Sequence, residues 1–421
     1  MSETKSLLHN SLFSVIARFT GVGLNFGLQI LIARMISLSH YGDMKMLLTL
    51  ITGVALFSRI GVEQLLVKEI AGHQDNRAGF GAQLQKQSYK LVFISSIVFM
   101  LIWVVAGLWL KEALFDDVSQ TNFNIASIGI LFFNLLTLNA FYFKALHKAS
   151  VFALIQNALP AISFLVLIGL FWRGFSENQH YINLYTLSTV LAGLVSLIIM
   201  RPWLKQAIPS KDNLLALKNI AKRALPLAPI SITSFLMLWS DTIMVGLFLN
   251  AEEVALYSTA ATISFISLFF LGALDATILP KLLFKSKNTP NELKLFFWKA
   301  TALVVFGLLA VTLVMEALAK PMLYLFGTLF QQATLSLLIL LTAQWLRATS
   351  LTFSFMFIIK ERVKYLNIIM AIALVINLIA NTILIKAYGI EGAAVATLIA
   401  NAFLTIGVIL MFYHKKLLAD Y

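Results

Sequence analysis

Four residues in the second half of this 421-residue chain carry oxygen atoms of the kind that hold a hard cation. Asp241 sits in LMLWSDTIMVGLF, Asn377 and Asn381 are four apart in one apolar stretch and so share a helix face, and Thr397 follows the small run EGAAVA. A carboxylate, two amide carbonyls, a hydroxyl and a backbone carbonyl together make an oxygen cage suited to an alkali cation. The competing assignment is that Asn377 and Asn381 join helices by hydrogen bonds, a common use of amides inside bilayers. Residue types alone leave both open.

The first half offers the opposite charge. Arg18 lies in SLFSVIARFTGVGLNFGLQ, where Gly21, Gly23, Asn25, Gly27 and Gln29 make one part of the segment small and polar. Such a segment suits a cavity wall better than a lipid face. Arg59 follows, four residues before Glu63. Guanidinium groups attract phosphate oxygens and give them forked hydrogen bonds, so Arg18, Arg59, Asn25 and Gln29 are the candidate contacts for a phosphorylated anion. The alternative is that the arginines pair with Glu63 or Asp241 to hold helices together, and the i, i+4 spacing lets Arg59 and Glu63 satisfy one another. Arg347 is a third arginine of this kind, able to snorkel or to pair with Asp275.

These few charges matter because of what surrounds them. The chain is 60% hydrophobic and 12% charged, with a mean hydropathy of +0.87, whereas soluble domains carry roughly a quarter charged residues. Lipid must be the outer solvent. At bilayer depth a charge costs at least about 2.5 to 3.5 kcal/mol, so each ionisable side chain should face protein or water.

Each spanning helix needs about 20 mostly apolar residues. About twelve stretches qualify, at roughly 12 to 36, 44 to 67, 90 to 110, 122 to 143, 150 to 172, 181 to 200, 225 to 249, 254 to 280, 298 to 319, 331 to 359, 363 to 386 and 390 to 413. With the N-terminus in the cytoplasm, about 23 of the 32 Lys and Arg fall on that side, as the positive-inside rule requires. An even count brings the C-terminus to the same side. The expected fold class is therefore an all-α membrane protein of about 12 transmembrane helices, in two halves. Residues 1–205 form an N-lobe, 206–223 a basic cytoplasmic linker within the connection Arg201 to Arg223, which holds two prolines, and 224–421 a C-lobe. The halves repeat weakly at an offset of roughly 213 residues, the parallel duplication common in transporters, with Glu63 close to the position of Asp275.

Several functions are excluded by what the sequence lacks. Without cysteine there is no thiolate nucleophile and no disulfide framework. The six histidines have no metal-ligand spacing, and no GxxxxGKS loop supports nucleotide hydrolysis. The net charge of +13 is spread between apolar spans, unlike the clustered face of a nucleic-acid binder. No removable signal peptide is expected at MSETKSLLHN.

Four segments in order carry a resemblance across essentially the whole chain. They are ARMISLSHYGDMKMLLTL with RIGVEQLLVKEIAGH, then ALPLAPISITSFLMLWSDTIMVGLFLNAEEVALYSTAATI, then KPMLYLFGTLFQQATLSLLILL, and finally YGIEGAAVATLIAN. The sequence resembles the polysaccharide transporter family, the O-antigen and capsule flippases of the multidrug, oligosaccharidyl-lipid and polysaccharide exporter superfamily. The resemblance implies two six-helix lobes forming a V around a central cavity. It also implies alternating access and export of a polyprenyl-pyrophosphate-linked oligosaccharide across the bacterial inner membrane, with no enzymatic step. In the related lipid II flippases, arginines of the first helices face the cavity, similar to Arg18 and Arg59. Those relatives hold sodium with spans seven, eleven and twelve, where Asp241, Asn377, Asn381 and Thr397 fall at matching places. Asn381 stands where that pattern has an acid, which weakens the expected site.

The implied partners are the lipid-linked oligosaccharide, membrane lipids and other polysaccharide-assembly membrane proteins, with no nucleic acid. No cofactor is required, and Na+ or H+ is the coupling ion to be tested. A cation-coupled multidrug exporter of the same superfamily is the nearest alternative, though its cavity walls would be acidic. A membrane oligosaccharide polymerase would need a larger outer loop. Arg18→Ala is expected to abolish surface polysaccharide while the lipid-linked precursor accumulates inside. Normal polysaccharide at equal protein level would make Arg18 structural.

Overall fold

The computed structural model describes residues 21, 23–72, 77–115, 117–171, 180–207 and 215–418, and among these residues there is no strand. Helix is the form lipid demands, because its backbone groups are satisfied within one segment. The order is α1 (residues 23–35), α2 (Leu38–Arg59), α3 (Val62–Gly72), α4 (Arg77–Leu114), α5 (Gln120–Ala126), α6 (Ile128–Ala145), α7 (Ala149–Ala153) and a π-helical turn (Leu154–Ala158). Then come α8 (Leu159–Phe171), α9 (His180–Leu204), α10 (Leu217–Ala224), a 3-10 turn (Leu225–Leu227), α11 (Ala228–Phe248), α12 (Ala251–Ser264) and α13 (Ile266–Asn288). The last are α14 (Pro290–Ala317), α15 (Ala319–Tyr324), a 3-10 turn (Thr328–Ala333), α16 (Thr334–Thr349), α17 (Leu351–Ile359) and α18 (Val363–His414).

Among the described residues, nine helices are long and apolar enough to cross a membrane, and ten if α2 and α3 count as one bent span. They coincide with the expected stretches from 44 to 67 onward. Of the expected first span, 12 to 36, residues 12–20 and 22 lie outside the described ones. A count of twelve also requires dividing α18, whose 52 residues would reach about 78 Å, more than twice the hydrocarbon thickness. Gly389 supplies the division with φ 61° and ψ −139°, a backbone state open to glycine. Three residues later, a Cβ at Gly392 would lie 2.0 Å from the Leu384 carbonyl oxygen, so only glycine lets the chain fold back this closely.

The expected single helix from 44 to 67 is corrected by a break. α2 ends at Arg59, its cap Ile60 takes the left-handed conformation at φ 56°, and Gly61 follows at φ 82°. The two pieces meet at 52°. Gly61 is where the start of α11 approaches most closely. A Cβ there would lie 2.6 Å from both the Ala224 oxygen and the Ala228 nitrogen. The break places Arg59 in the last turn of α2 and Glu63 in the first turn of α3, where each charge opposes the partial charge of its own helix end.

The chain divides into two compact units, Met1–Phe235 and Leu236–Tyr421, with the division inside α11. In the first, α6 packs against α2, α3, α4 and α9, and Leu65, Leu66, Leu84, Leu138, Tyr142 and Ile220 belong to one core. Leu217–Ala224, which holds the last residues of the expected linker 206–223, packs on α3 and α4, and Arg223 is ion-paired with Glu69. In the second unit α16 lies along α18. Its core is aromatic: Phe297 stacks on Phe412 with ring centroids 5.4 Å apart, and Phe353 meets both edge-on. Elsewhere apolar side chains face outward, as Leu101, Val105, Leu108 and Trp109 do on α4.

Gly61→Ala adds a left-handed strain and a backbone collision, and is expected to destabilise the protein by at least about 2 kcal/mol. A lowered unfolding midpoint in detergent is the measurement, and an unchanged midpoint would mean that the break relaxes freely.

Candidate functional site

The second unit brings together the four oxygen-bearing residues singled out from the sequence. α11 carries Asp241, and α18 carries Asn377 and Asn381 before the Gly389 break and Thr397 after it. The Asp241 carboxylate is 6% exposed. Its Oδ1 accepts from Asn381 Nδ2 at 2.6 Å, and its Oδ2 accepts from the Tyr257 hydroxyl at 3.0 Å and from Thr397 Oγ1. Asn381 Nδ2 also donates to Asn377 Oδ1 at 3.1 Å, which accepts from Ser240 Oγ at 3.1 Å. The amides therefore do tie α11 to α18, as the second assignment held. Among the described residues no lysine or arginine is ion-paired with Asp241.

One atom of this cluster is left over. Asn381 Oδ1 is buried without a hydrogen-bond partner, a state that costs about 1–3 kcal/mol. Turning the amide over would bring Oδ1 to the carboxylate, an oxygen-to-oxygen approach that a cation between them makes favourable. The donor set therefore fits a hard cation as well as it fits a hydrogen-bonded joint. Beside it lies a cavity of about 20 Å³ whose lining includes Asp241, Tyr257, Gln344, Arg347, Thr397 and Asn401, room for about one water-sized species. Gln344 Oε1 is a second buried acceptor without a partner. Tyr257, Gln344 and Asn401 are uncharged and far apart in sequence, so nothing but their polarity in apolar spans signalled them. Arg347 borders the cavity, while the Asp275 side chain, its expected partner, is outside the described ones.

The first unit closes its charges differently. Arg59 is 5% exposed. Its Nη1 donates to Asn134 Oδ1 at 2.8 Å, its Nε lies 3.5 Å from Glu63 Oε2, and the Phe133 ring centroid is 5.8 Å from the guanidinium. Asn134 in turn donates to Ser58 Oγ at 2.6 Å and Ser96 Oγ at 2.9 Å, while Glu63 Oε1 accepts from Ser231 Oγ at 2.7 Å. In this conformation Arg59 is committed to protein partners, so contact with an anion requires the network to open.

Asn25 and Gln29 are not brought to Arg59. Gln29 Nε2 donates to Asn25 Oδ1 at 3.1 Å, and Lys45 Nζ donates to Gln29 Oε1 at 2.6 Å. Lys45, half-buried on α2, thus completes a row of one cation and two amides across α1 and α2. Arg18 lies outside the described residues.

Removing one member of the Arg59–Glu63 pair strands the other, so Glu63→Leu is expected to destabilise by about 3–5 kcal/mol, and joint replacement of Arg59 and Glu63 by leucine by much less. Denaturant unfolding in detergent tests this. Loss of transport by a stable double variant would assign Arg59 to the substrate rather than to the helix joint.

Comparison with known proteins agrees with this architecture. Residues 7–283 match the polysaccharide biosynthesis protein family. A probable low-salt glycan biosynthesis flippase, Agl15 of Haloferax volcanii, is 30% identical over 212 residues. That alignment takes in 47% of this chain and 42% of the Haloferax protein, less than half of either. Among solved structures, the lipid II flippase MurJ in an inward closed conformation superposes with a TM-score of 0.73 at 14% identity, over 95% of this chain and 87% of that one. An inward-facing multidrug resistance MATE family transporter of the MOP superfamily superposes at 0.69 and 17% identity, over 95% of this chain and 98% of that one. At these identities the likeness speaks for the fold, that of multi-pass membrane transporters. With two-thirds of its length matched by one family, the chain belongs to the polysaccharide biosynthesis protein family.

Proposed function

We propose that this protein flips a polyprenyl-pyrophosphate-linked oligosaccharide, an O-antigen or capsule repeat unit, across the bacterial inner membrane by alternating access, with both termini in the cytoplasm. The observation that carries this reading is the family match over residues 7–283 on a transporter fold. The Haloferax relative, named a glycan biosynthesis flippase, supports the same class of cargo. The excess of Lys and Arg on alternate connections supports the orientation. Lys45, Gln29 and Asn25 form a row suited to a phosphorylated sugar, with a point charge for phosphate and amides for hydroxyls. Arg18 and Arg59 remain the guanidinium candidates.

For the coupling ion, Asp241, Asn377, Asn381 and Thr397 are the residues that would hold Na+, with Gln344 Oε1 as a further acceptor. A cation bound there would supply the positive charge that the Asp241 carboxylate lacks. A proton on Asp241 would do the same by neutralising it.

The test is reconstitution in vesicles with a fluorescent lipid-linked oligosaccharide, read by its accessibility to an external quencher. Wild type is expected to translocate the lipid, faster with an inward sodium gradient if Na+ is the ion, and Asp241→Asn to translocate it several-fold more slowly. Sodium- and pH-independent transport by both proteins would remove the coupling. Export of organic cations without movement of the glycolipid would replace the proposed cargo with a drug.

A further inference from the structure

A stripe on the outward side of the first unit has the length and polarity of one lipid molecule. On α9, Leu194, Leu197, Ile198, Arg201, Leu204 and Lys205 recur at helical spacing and line one groove with Lys86 of α4, the helix packed beside it. The groove is shallow and open on its outer side, with about 660 Å³ of space along it, a shape that suits a lipid lying against the wall rather than a ligand sealed inside. Leu194 is 46% and Ile198 69% exposed, so the wall opens outward from the unit. The stripe is apolar for its first turns and cationic at its end. From residue 194 to 205 the rise is about 16 Å, half of the roughly 30 Å of hydrocarbon and so one leaflet deep.

The cations are available. Lys86, Arg201 and Lys205 are exposed, and among the described residues the ion pairs are Arg59–Glu63, Arg223–Glu69 and Lys285–Glu292, none of which involves them. Their depth is held by Trp203, which packs edge-on against Tyr142 and Phe143 and carries Lys148 over its ring at 3.9 Å. An aromatic side chain so placed among cations marks the membrane interface. The charge distribution assigns this end of α9 to the cytoplasmic leaflet, where anionic lipids are recognised by basic pockets between helices.

We propose that the groove between α4 and α9 binds an anionic glycerophospholipid of that leaflet, its phosphate among Lys86, Arg201 and Lys205 and an acyl chain along Leu194, Leu197 and Ile198. The side chains lining the groove are all aliphatic or cationic, a lining that suits phosphate and hydrocarbon and offers sugar hydroxyls no side-chain acceptor. The site is therefore distinct from the one proposed for the glycan cargo, and rests on the span assignment and on the orientation proposed above.

The experiment is native mass spectrometry of the full chain released from mixed micelles containing phosphatidylglycerol and phosphatidylcholine. Wild type is expected to retain phosphatidylglycerol preferentially, and Lys86→Gln, Arg201→Gln and Lys205→Gln each to lower that retention about fivefold. Ile198→Trp, which fills the wall without altering charge, is expected to reduce retention as well. All four positions are exposed, and an unchanged unfolding midpoint establishes that each variant is folded. Equal retention of the two lipids, or a preference that survives the triple Gln variant, overturns the proposal. So does displacement of phosphatidylglycerol by equimolar polyprenyl phosphate, which would make the groove a seat for the cargo's own tail. Glycolipid transport is a separate readout, so lipid retention without transport would count against the flippase reading alone.

Discussion

A polar group at bilayer depth has no water to turn to, and every unusual feature of this protein follows from where such groups find their partners. In an aqueous protein, a half-satisfied arginine or carboxylate relaxes toward solvent. Here the cost of leaving it unpaired is several kcal/mol. Ionisable residues are therefore few, and Arg59, Glu63 and Asp241 each sit where a helix end, an amide or an opposite charge can answer them.

The two units meet that demand in different ways. In the first, the break at Ile60 and Gly61 exposes two helix ends, and Arg59 and Glu63 sit on the ends whose partial charges oppose their own. Asn134 and Ser231 hydrogen-bond the pair, with Ser58 and Ser96 behind Asn134, while Arg59 Nε and Glu63 Oε2 face each other at 3.5 Å without a hydrogen bond. The charges cancel within the protein. In the second, the Asp241 carboxylate is met by neutral donors from α12 and α18. Its hydrogen bonds are made but its charge is not cancelled by an ion pair, and the neighbouring Asn381 Oδ1 is unpartnered. A buried anion of this kind is where a cation from outside gains most, whereas the Arg59 charge is already answered by the Glu63 carboxylate.

The same logic applies at the interface, where headgroups and water replace hydrocarbon. Exposed cations at the end of α9 would need no carboxylate where they reach a headgroup layer, as proposed for the groove between α4 and α9. Arg223, lying on the packed surface of α10, has its carboxylate in Glu69.

Much of this was legible in the amino-acid sequence. Apolar runs of about 20 residues mark spans because the bilayer fixes their length, and all the described spans fall on such runs. Asp241, Asn377, Asn381 and Thr397 were identifiable because a polar residue in an apolar run is rare enough to stand out one at a time. What the sequence could not convey depends on closeness between distant segments. The bend at Gly61 hides inside a continuous apolar run, since a break costs the chain no hydrophobicity, and it is the approach of Ala224 and Ala228 that demands glycine there. Asn134 as the partner of Arg59 is likewise a contact between helices far apart in the chain, and Lys45 with Gln29 and Tyr257 with Asp241 join consecutive helices at a register that only their packing sets. The one-dimensional pattern of hydrophobicity determined which segments enter the membrane, because transfer into lipid is a property of each segment by itself. Which charges are cancelled and which stay open to a ligand was decided by packing, because hydrogen bonds and ion pairs act over a few ångströms between side chains that only the tertiary structure brings together.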